Sequence, residues 1–374
     1  MPNPVVLPFV KNLKKQLGPN SPSLIQVVLG PRQVGKTTGI KQLLSKMKEG
    51  SNIYVSADGL LTKSSDWIFE QWTLANQSKS IKLLVIDEIQ KVEGWAETIK
   101  ELWDKKPKFK LVLLGSSSLF LQQGLNESLA GRYYVHRVHH WNHQQSKQGY
   151  RLSFENFLLY GGYPGSYPFC EEPTEWLNYL QHSIVDAVIG KDILTQARVK
   201  SPALFKQCFE IATSYPAQEI SYTKLLGQLQ SKGNVDLVKS YLRLFEEAFL
   251  LKQIYKYSAK KVIQKSSSPK IIPLCPALYT LGLDAELDQE ERGRSFELYI
   301  GCELLKKPGE LFYWRKRNDE VDFVYKFGKK LLAIEVKSGQ NKAAKGLSAF
   351  AKEHPKAKLI LITPRNFEEI LEDI

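Results

Sequence analysis

Leu24-Ile-Gln-Val-Val-Leu29 is an apolar run of strand length, and Gly30-Pro-Arg-Gln-Val-Gly35-Lys36-Thr37-Thr38 follows it without a gap. The second stretch satisfies G-x-x-x-x-G-K-[ST]. Beyond it Ile40, Leu43, Leu44 and Met47 recur at helical spacing, so the order is strand, loop, helix. In that order each residue type has a physical task. Glycines let main-chain N–H groups close around phosphate oxygens, and the helix turns the positive end of its dipole toward them. Lys36 is expected on the β- and γ-phosphates of ATP and Thr37 on Mg²⁺, with Gly30, Pro31, Arg32, Gln33, Val34, Gly35 and Thr38 completing the nucleotide cradle. A glycine turn before an ordinary helix would not require the lysine, the hydroxyl and the preceding strand together.

Ile81-Lys-Leu-Leu-Val-Ile-Asp87-Glu88 is the matching second half, a buried strand ending in two carboxylates. Successive strand residues point to opposite faces. Asp87 can therefore turn to the Mg²⁺ shell while Glu88 positions a water for in-line attack on the γ-phosphate. Val92, Trp95, Ile99 and Leu102 follow at helical spacing, so one of the acids could instead complement a helix dipole. Lys110-Leu-Val-Leu-Leu-Gly115 is a third strand, and Ser116-Ser117-Ser118 puts hydroxyls where a polar γ-phosphate sensor would sit. Ser116 is the first candidate, and which serine acts is not readable. Arg132, in Leu129-Ala-Gly131-Arg132, could neutralise transition-state charge in its own subunit or across an oligomer interface, or could form a surface ion pair.

A chain of 374 residues exceeds one ordinary hydrophobic core, so two or three domains are expected. No segment has the ~18 uninterrupted apolar residues that a membrane span needs, and the N-terminal stretch lacks the pattern of a signal peptide. A cytoplasmic protein without a membrane partner is the expectation. The four cysteines, Cys170, Cys208, Cys275 and Cys302, are scattered and read as reduced thiols. A formal charge of +13 suits a polyanionic partner such as DNA, although small anions would also satisfy it. His136, His139, His140 and His143 cluster without cysteines or paired acids to complete a metal shell, and a solvated edge is the preferred reading.

The order of strand, P-loop, helix, Ile53-Tyr-Val-Ser-Ala-Asp58, the Asp-Glu strand and the serine-ended strand resembles the AAA+ ATPases. One bacterial and archaeal branch fits more closely, with P-R-Q-V/R-G-K-T, D-E-I/V-Q and L-A-G-R motifs and a C-terminal domain of unknown function. Here these are Pro31–Thr37, Asp87–Gln90 and Leu129–Arg132, followed by Tyr160-Gly-Gly-Tyr-Pro164. The resemblance spans nearly the whole chain and implies ATP and Mg²⁺ as ligands and a homo-oligomer as a possible assembly. It departs at the polar run Trp141–Tyr150, where an apolar segment would be expected.

Farther along, Thr174 after Pro173 reads as a helix N-cap, and apolar residues including Trp176, Leu180, Ile184 and Ile189 recur at helical spacing from there to Leu204, as in a helical lid. Ile220–Leu229, a turn containing Gly233 and Val235–Phe249 give a helix-turn-helix, and the order resembles a winged helix with Lys239, Ser240 and Arg243 available to DNA. Glu246 and Glu247 oppose groove insertion. Lys260, Lys261, Lys265 and Lys270 around Ser266-Ser-Ser read as a solvated linker. Val321–Tyr325 and Leu331–Lys337 then form a hairpin about Gly328 and Lys329, which sets Tyr325 opposite Leu332 and Asp322 opposite Glu335. Two carboxylates with a nearby lysine are what a Mg²⁺-dependent phosphodiesterase needs. Asp322, Glu335-x-Lys337 and the preceding-helix acid Glu297 resemble the PD-(D/E)-x-K nucleases. Asp322 and Glu335 are the expected metal ligands, and a silent scaffold that binds a protein partner is the alternative. The fold class expected is therefore α/β: a P-loop AAA+ parallel sheet domain over 1–155, a helical lid over 156–204, a winged helix over 205–258 and a restriction-endonuclease-like α/β domain over 259–374.

Overall fold

β1 (Ile25–Leu29) is buried along its whole length, as is β3 (Leu83–Asp87), which marks both as inner strands of a sheet covered on two faces. With β2 (Asn52–Ser56), β4 (Lys110–Gly115) and β5 (Tyr133–Arg137) they form an all-parallel sheet in the order β2-β3-β4-β1-β5. The computed structural model describes residues 5–374 except 60–63, 116–123, 126, 195, 196, 198, 231, 232, 259–266 and 340–344. Ser116–Ser118, the sensor candidates, lie outside the described residues, as do Lys260, Lys261 and Lys265. The chain forms two units, one of residues 1–139 with 191–196 and one of 140–190 with 197–374.

In the first unit α1 (Pro8–Gln16), α2 (Lys36–Leu44), α3 (Asp66–Gln77) and α4 (Trp95–Asp104) accompany the strands. Gly39 on α2 permits a close approach by α1, since a Cβ there would meet the Phe9 ring at 2.7 Å. β4 separates β1 from β3, so the loop after β1 and the acids ending β3 flank the C-terminal end of β4. In an open parallel sheet this carboxyl edge is where ligands bind.

The second unit contains a seven-stranded mixed sheet in the order β12-β11-β10-β9-β7-β8-β6. Its strands are β6 (Gln218–Glu219), β7 (Leu251–Lys256), β8 (Lys270–Pro273), β9 (Glu310–Lys316), β10 (Asp319–Phe327), β11 (Lys330–Val336) and β12 (Lys358–Ile362). β7 pairs with β9 in parallel, so the segment expected as a winged helix and the one expected as a separate C-terminal domain share one sheet. Trp314, Val321, Val324, Ala333, Leu347 and Phe350 form the core under its C-terminal half. The hairpin has Tyr325 opposite Leu332, the register anticipated from the turn.

Several local expectations change. The polar run after Trp141 is a helix, α5 (His143–Tyr150), closed by a reciprocal capping box between Asn142 and Gln145. Glu172, with no side-chain capping bond, precedes a short helix at Pro173–Asn178, so Thr174 lies inside it. Tyr179–Val185 and Val188–Ile193 are π-helical instead of α-helical. His136, His140 and His143 are buried, not solvated. His136 bonds the Gln26 side chain at 2.8 Å, and burial pulls its pKa down to about 4, so the imidazole stays neutral. The four cysteines are free thiols. No helix among the described residues is long and apolar enough to cross a membrane.

Candidate functional site

The loop between β1 and α2 uses backbone conformations that few side chains tolerate. Gly35 has φ +89° at the helix N-cap, and Gln33 has φ +59°. Gly30 has no room for a side chain either, because a Cβ would stand 2.3 Å from the Val138 carbonyl oxygen. Val34 is fully buried and anchors the loop from beneath. Lys36 begins α2 and folds back so that Nζ donates to the carbonyl oxygens of Gly30 at 2.9 Å and Pro31 at 2.6 Å. Thr37 and Thr38 follow it in the first turn of the helix.

Thr37 Oγ1 donates to Asp87 Oδ2 at 2.9 Å, which brings the loop and the acidic strand end into direct contact. Tyr54 on β2 donates to the same oxygen at 2.6 Å, and the Glu88 N–H donates to Asp87 Oδ1 at 2.9 Å. The carboxylate is thus held by three donors and aimed at Thr37. Tyr54 went unrecognised in the sequence, where it reads as an ordinary strand aromatic. Glu88 has φ +54°. A non-glycine residue in that region costs about 1–3 kcal/mol, and such strain concentrates at functional positions. Its side chain accepts from Gln90 Nε2 at 2.7 Å and makes no capping bond to the turn that follows.

Burial lowers the Lys36 pKa to about 8, against the opposing pull of Glu88 and Asp87. An ammonium so desolvated gains from a polyphosphate, which would raise its pKa again. Nucleotide binding at pH 8 should therefore take up about half a proton, and at pH 6.5 almost none, because Lys36 is then already charged. Titration calorimetry in buffers of different ionisation heat reads this directly.

A Thr hydroxyl beside a buried carboxylate at the lip of a glycine loop fits Mg²⁺, a hard cation that takes oxygen ligands and keeps part of its water shell. Arg132, in contrast, is not brought to this cradle within the chain. Its carbonyl accepts from the Ile25 N–H at the start of β1, on the order of 15 Å along the strand from the loop. Its guanidinium forks onto Asp104 at 2.8 and 3.0 Å.

In the second unit a β-bulge between Val321 and Val324 interrupts the β9–β10 ladder and re-aims Asp322. Asp322 Oδ2 accepts from the Val336 N–H at 2.8 Å, fixing it beside Glu335. Lys337 Nζ donates to Glu335 Oε1 at 2.5 Å, as residues on one face should, while Glu335 Oε2 is buried with no hydrogen-bond partner among the described residues. Glu297, on the helix Gln289–Leu305, meets an unforeseen partner. Lys270 is buried on β8, not solvated in a linker, and its Nζ lies 3.0 Å from Glu297, 3.4 Å from Glu320 and 3.3 Å from the Asp322 carbonyl oxygen. Burial raises the Glu297 pKa to about 7 against the pull of Lys270, and burial also raises those of Asp322 and Glu335. Among the described residues no group of three His, Cys, Asp or Glu side chains is disposed to hold a metal ion alone. Two carboxylates with an orphaned oxygen still fit a Mg²⁺ that completes its shell with water and phosphate. Arg315 and Lys316 are engaged with Glu219 and Glu353.

Residues 23–146 match the family model described as AAA domain, residues 151–286 match the domain of unknown function DUF8612, and residues 292–374 match the domain of unknown function DUF4143. An uncharacterized protein of Methanocaldococcus jannaschii is 24% identical over 94% of this chain and 85% of its own length. One of Haemophilus influenzae is 21% identical over 83% of this chain and 82% of its own length. Among solved structures, the Thermotoga maritima RuvB Holliday junction branch migration motor aligns over 65% of this chain and 88% of its own, at 15% identity and a TM-score of 0.32. AMPPCP-bound DnaA from Aquifex aeolicus aligns over 63% and 86%, at 16% identity and a TM-score of 0.34. The glycine cradle and the acidic strand end of the first unit both lie within residues 23–146, the stretch that is similar to the AAA domain family model.

Proposed function

We propose that the chain hydrolyses ATP with Mg²⁺ in its first unit and uses its second unit on DNA, with phosphodiester cleavage at the Asp322–Glu335–Lys337 centre. The observation that carries the ATPase half is the Thr37–Asp87 hydrogen bond at 2.9 Å, which brings two motifs 50 residues apart into contact, as a shared phosphate and metal site would require. Lys36 exchanges the Gly30 and Pro31 carbonyls for phosphate oxygens. Thr37 and Asp87 hold Mg²⁺, whose charge when bound offsets that of the β- and γ-phosphates. Glu88 orients a water and takes its proton as the water oxygen bonds to the γ-phosphorus and the bond to the β-phosphate oxygen breaks. Replacing Glu88 with Gln should lower kcat about a hundredfold and leave ATP affinity within a few-fold, because the amide retains the shape and loses the base. Steady-state phosphate release with nucleotide binding measured alongside checks it, and unchanged kcat would remove Glu88 from this role. Arg132 faces away from its own cradle, which suits action on a neighbouring copy in a homo-oligomer.

Support for DNA comes from the net charge of +13 and from the element order in the second unit. A helix at Pro202–Thr213, β6, a helix at Tyr222–Gln228, a helix at Val235–Glu247 and the β7–β8 hairpin follow the winged-helix order. Lys239 and Arg243 on the third of these helices are about half exposed or more, with side-chain exposures of 51% and 70%. One observation favours a second reading, in which this unit is a scaffold for a protein partner. Lys270 and Lys337 already neutralise Glu297 and Glu335 internally.

A further inference from the structure

Asp192 comes to the phosphate cradle from 160 residues beyond the loop. Its carboxylate receives both arms of the Arg32 guanidinium, Nε to Oδ2 and Nη2 to Oδ1, each at 2.5 Å. Arg32 and Asp192 belong to the same unit, and Asp192 is nearly buried, with a side chain 7% exposed against 27% for Arg32. Both charges act on Lys36, so the pair lies at the cradle itself. Glu88 and Asp58 add to the negative field that Arg32 feels from Asp192.

A planar guanidinium fork matches a carboxylate and a phosphate equally well, so the two compete for it. Transferring Arg32 to a terminal phosphate leaves the nearly buried Asp192 carboxylate unpaired, a cost that the charge of the γ-phosphate must offset, so Asp192 sets a threshold for drawing the arginine away. A diphosphate lacks the group that would draw Arg32 away. We propose that Asp192 is a specificity-determining positioning residue, the ligand that Arg32 gives up when a nucleotide with a terminal γ-phosphate binds. It deepens the ATPase reading and rests on it. Asp192 also lies in residues 191–196, the short return of the chain to the first unit between two stretches of the second.

The test is the binding of ATP and ADP, each with Mg²⁺, to the full chain and its variants. Asp192→Asn keeps the shape and removes the competing charge, and ATP should bind about tenfold tighter while ADP changes less than about twofold. Arg32→Gln should weaken ATP about tenfold with little effect on ADP, and the double variant should match Arg32→Gln, the gain being lost with the arginine. Asp192→Asn that shifts both nucleotides by one common factor, or neither, overturns the proposal and leaves the pair as a structural tie. If Asp192→Asn does not fold, Arg32→Lys carries the test, since it retains charge without the fork and must lower the ATP-to-ADP preference. An unchanged preference overturns the proposal. Wild-type protein that binds neither nucleotide would remove the cradle assignment and this proposal together, whereas wild-type binding with an unshifted preference removes the proposal alone.

Discussion

Replacing Lys36 with alanine is expected to lower ATP turnover at least about a thousandfold and to leave the fold intact. The ammonium is nearly buried, donates to the Gly30 and Pro31 carbonyls of its own loop, and has its pKa pulled to about 8 by burial. A cation under such desolvation contributes little to folding, so the melting temperature should hold or rise. The same charge is the group best placed to meet phosphate oxygens, and its loss leaves the developing negative charge on main-chain amides alone. Phosphate release and a thermal melt on one preparation separate the two effects. A variant that keeps its turnover would contradict the assignment of Lys36, and one that loses turnover only by unfolding would show a structural role instead.

The second large effect concerns the distal centre. Asp322→Asn should reduce Mn²⁺- or Mg²⁺-dependent nicking of plasmid DNA about a thousandfold while ATP turnover in the first unit is retained. Asparagine can still accept from the Val336 N–H, so the bulge geometry survives and only the charge beside Glu335 is lost. Because burial raises the pKa values of Asp322 and Glu335, cleavage by the wild-type protein should also strengthen as pH rises and the pair sheds its protons. Wild-type protein that cleaves neither DNA nor RNA with either cation would favour the scaffold reading, in which Lys270 and Lys337 offset the charge of Glu297 and Glu335 without a metal.

The parts of this account that were legible in the sequence are those where local chemistry and periodicity agree. Gly30–Thr38 between a strand and a helix admits few conformations, and the Asp322–Glu335 juxtaposition follows from a two-residue turn that fixes register. What stayed hidden depends on contacts that local pattern does not encode. Lys270 sits in a basic, serine-rich stretch that looks solvated, and only the pairing of β7 with β9 carries it into the acidic centre. Tyr54 has the pattern of a strand aromatic, and its hydroxyl finds Asp87 because β2 lies beside β3. Asp192 is one of three acids between Thr174 and Leu204, joined to Arg32 by the return of the chain to the first unit. Strands from both sides of the expected 258/259 boundary pair in one sheet, a long-range contact that local pattern does not encode.

Equilibrium dialysis of labelled ATP against the wild-type chain, with and without Mg²⁺, tests the shared phosphate and metal site most directly. Saturable binding of one nucleotide per chain, strengthened by the cation through Thr37 and Asp87, is the predicted result. Absence of binding to ATP or any other purine triphosphate in the presence of Mg²⁺ would contradict it.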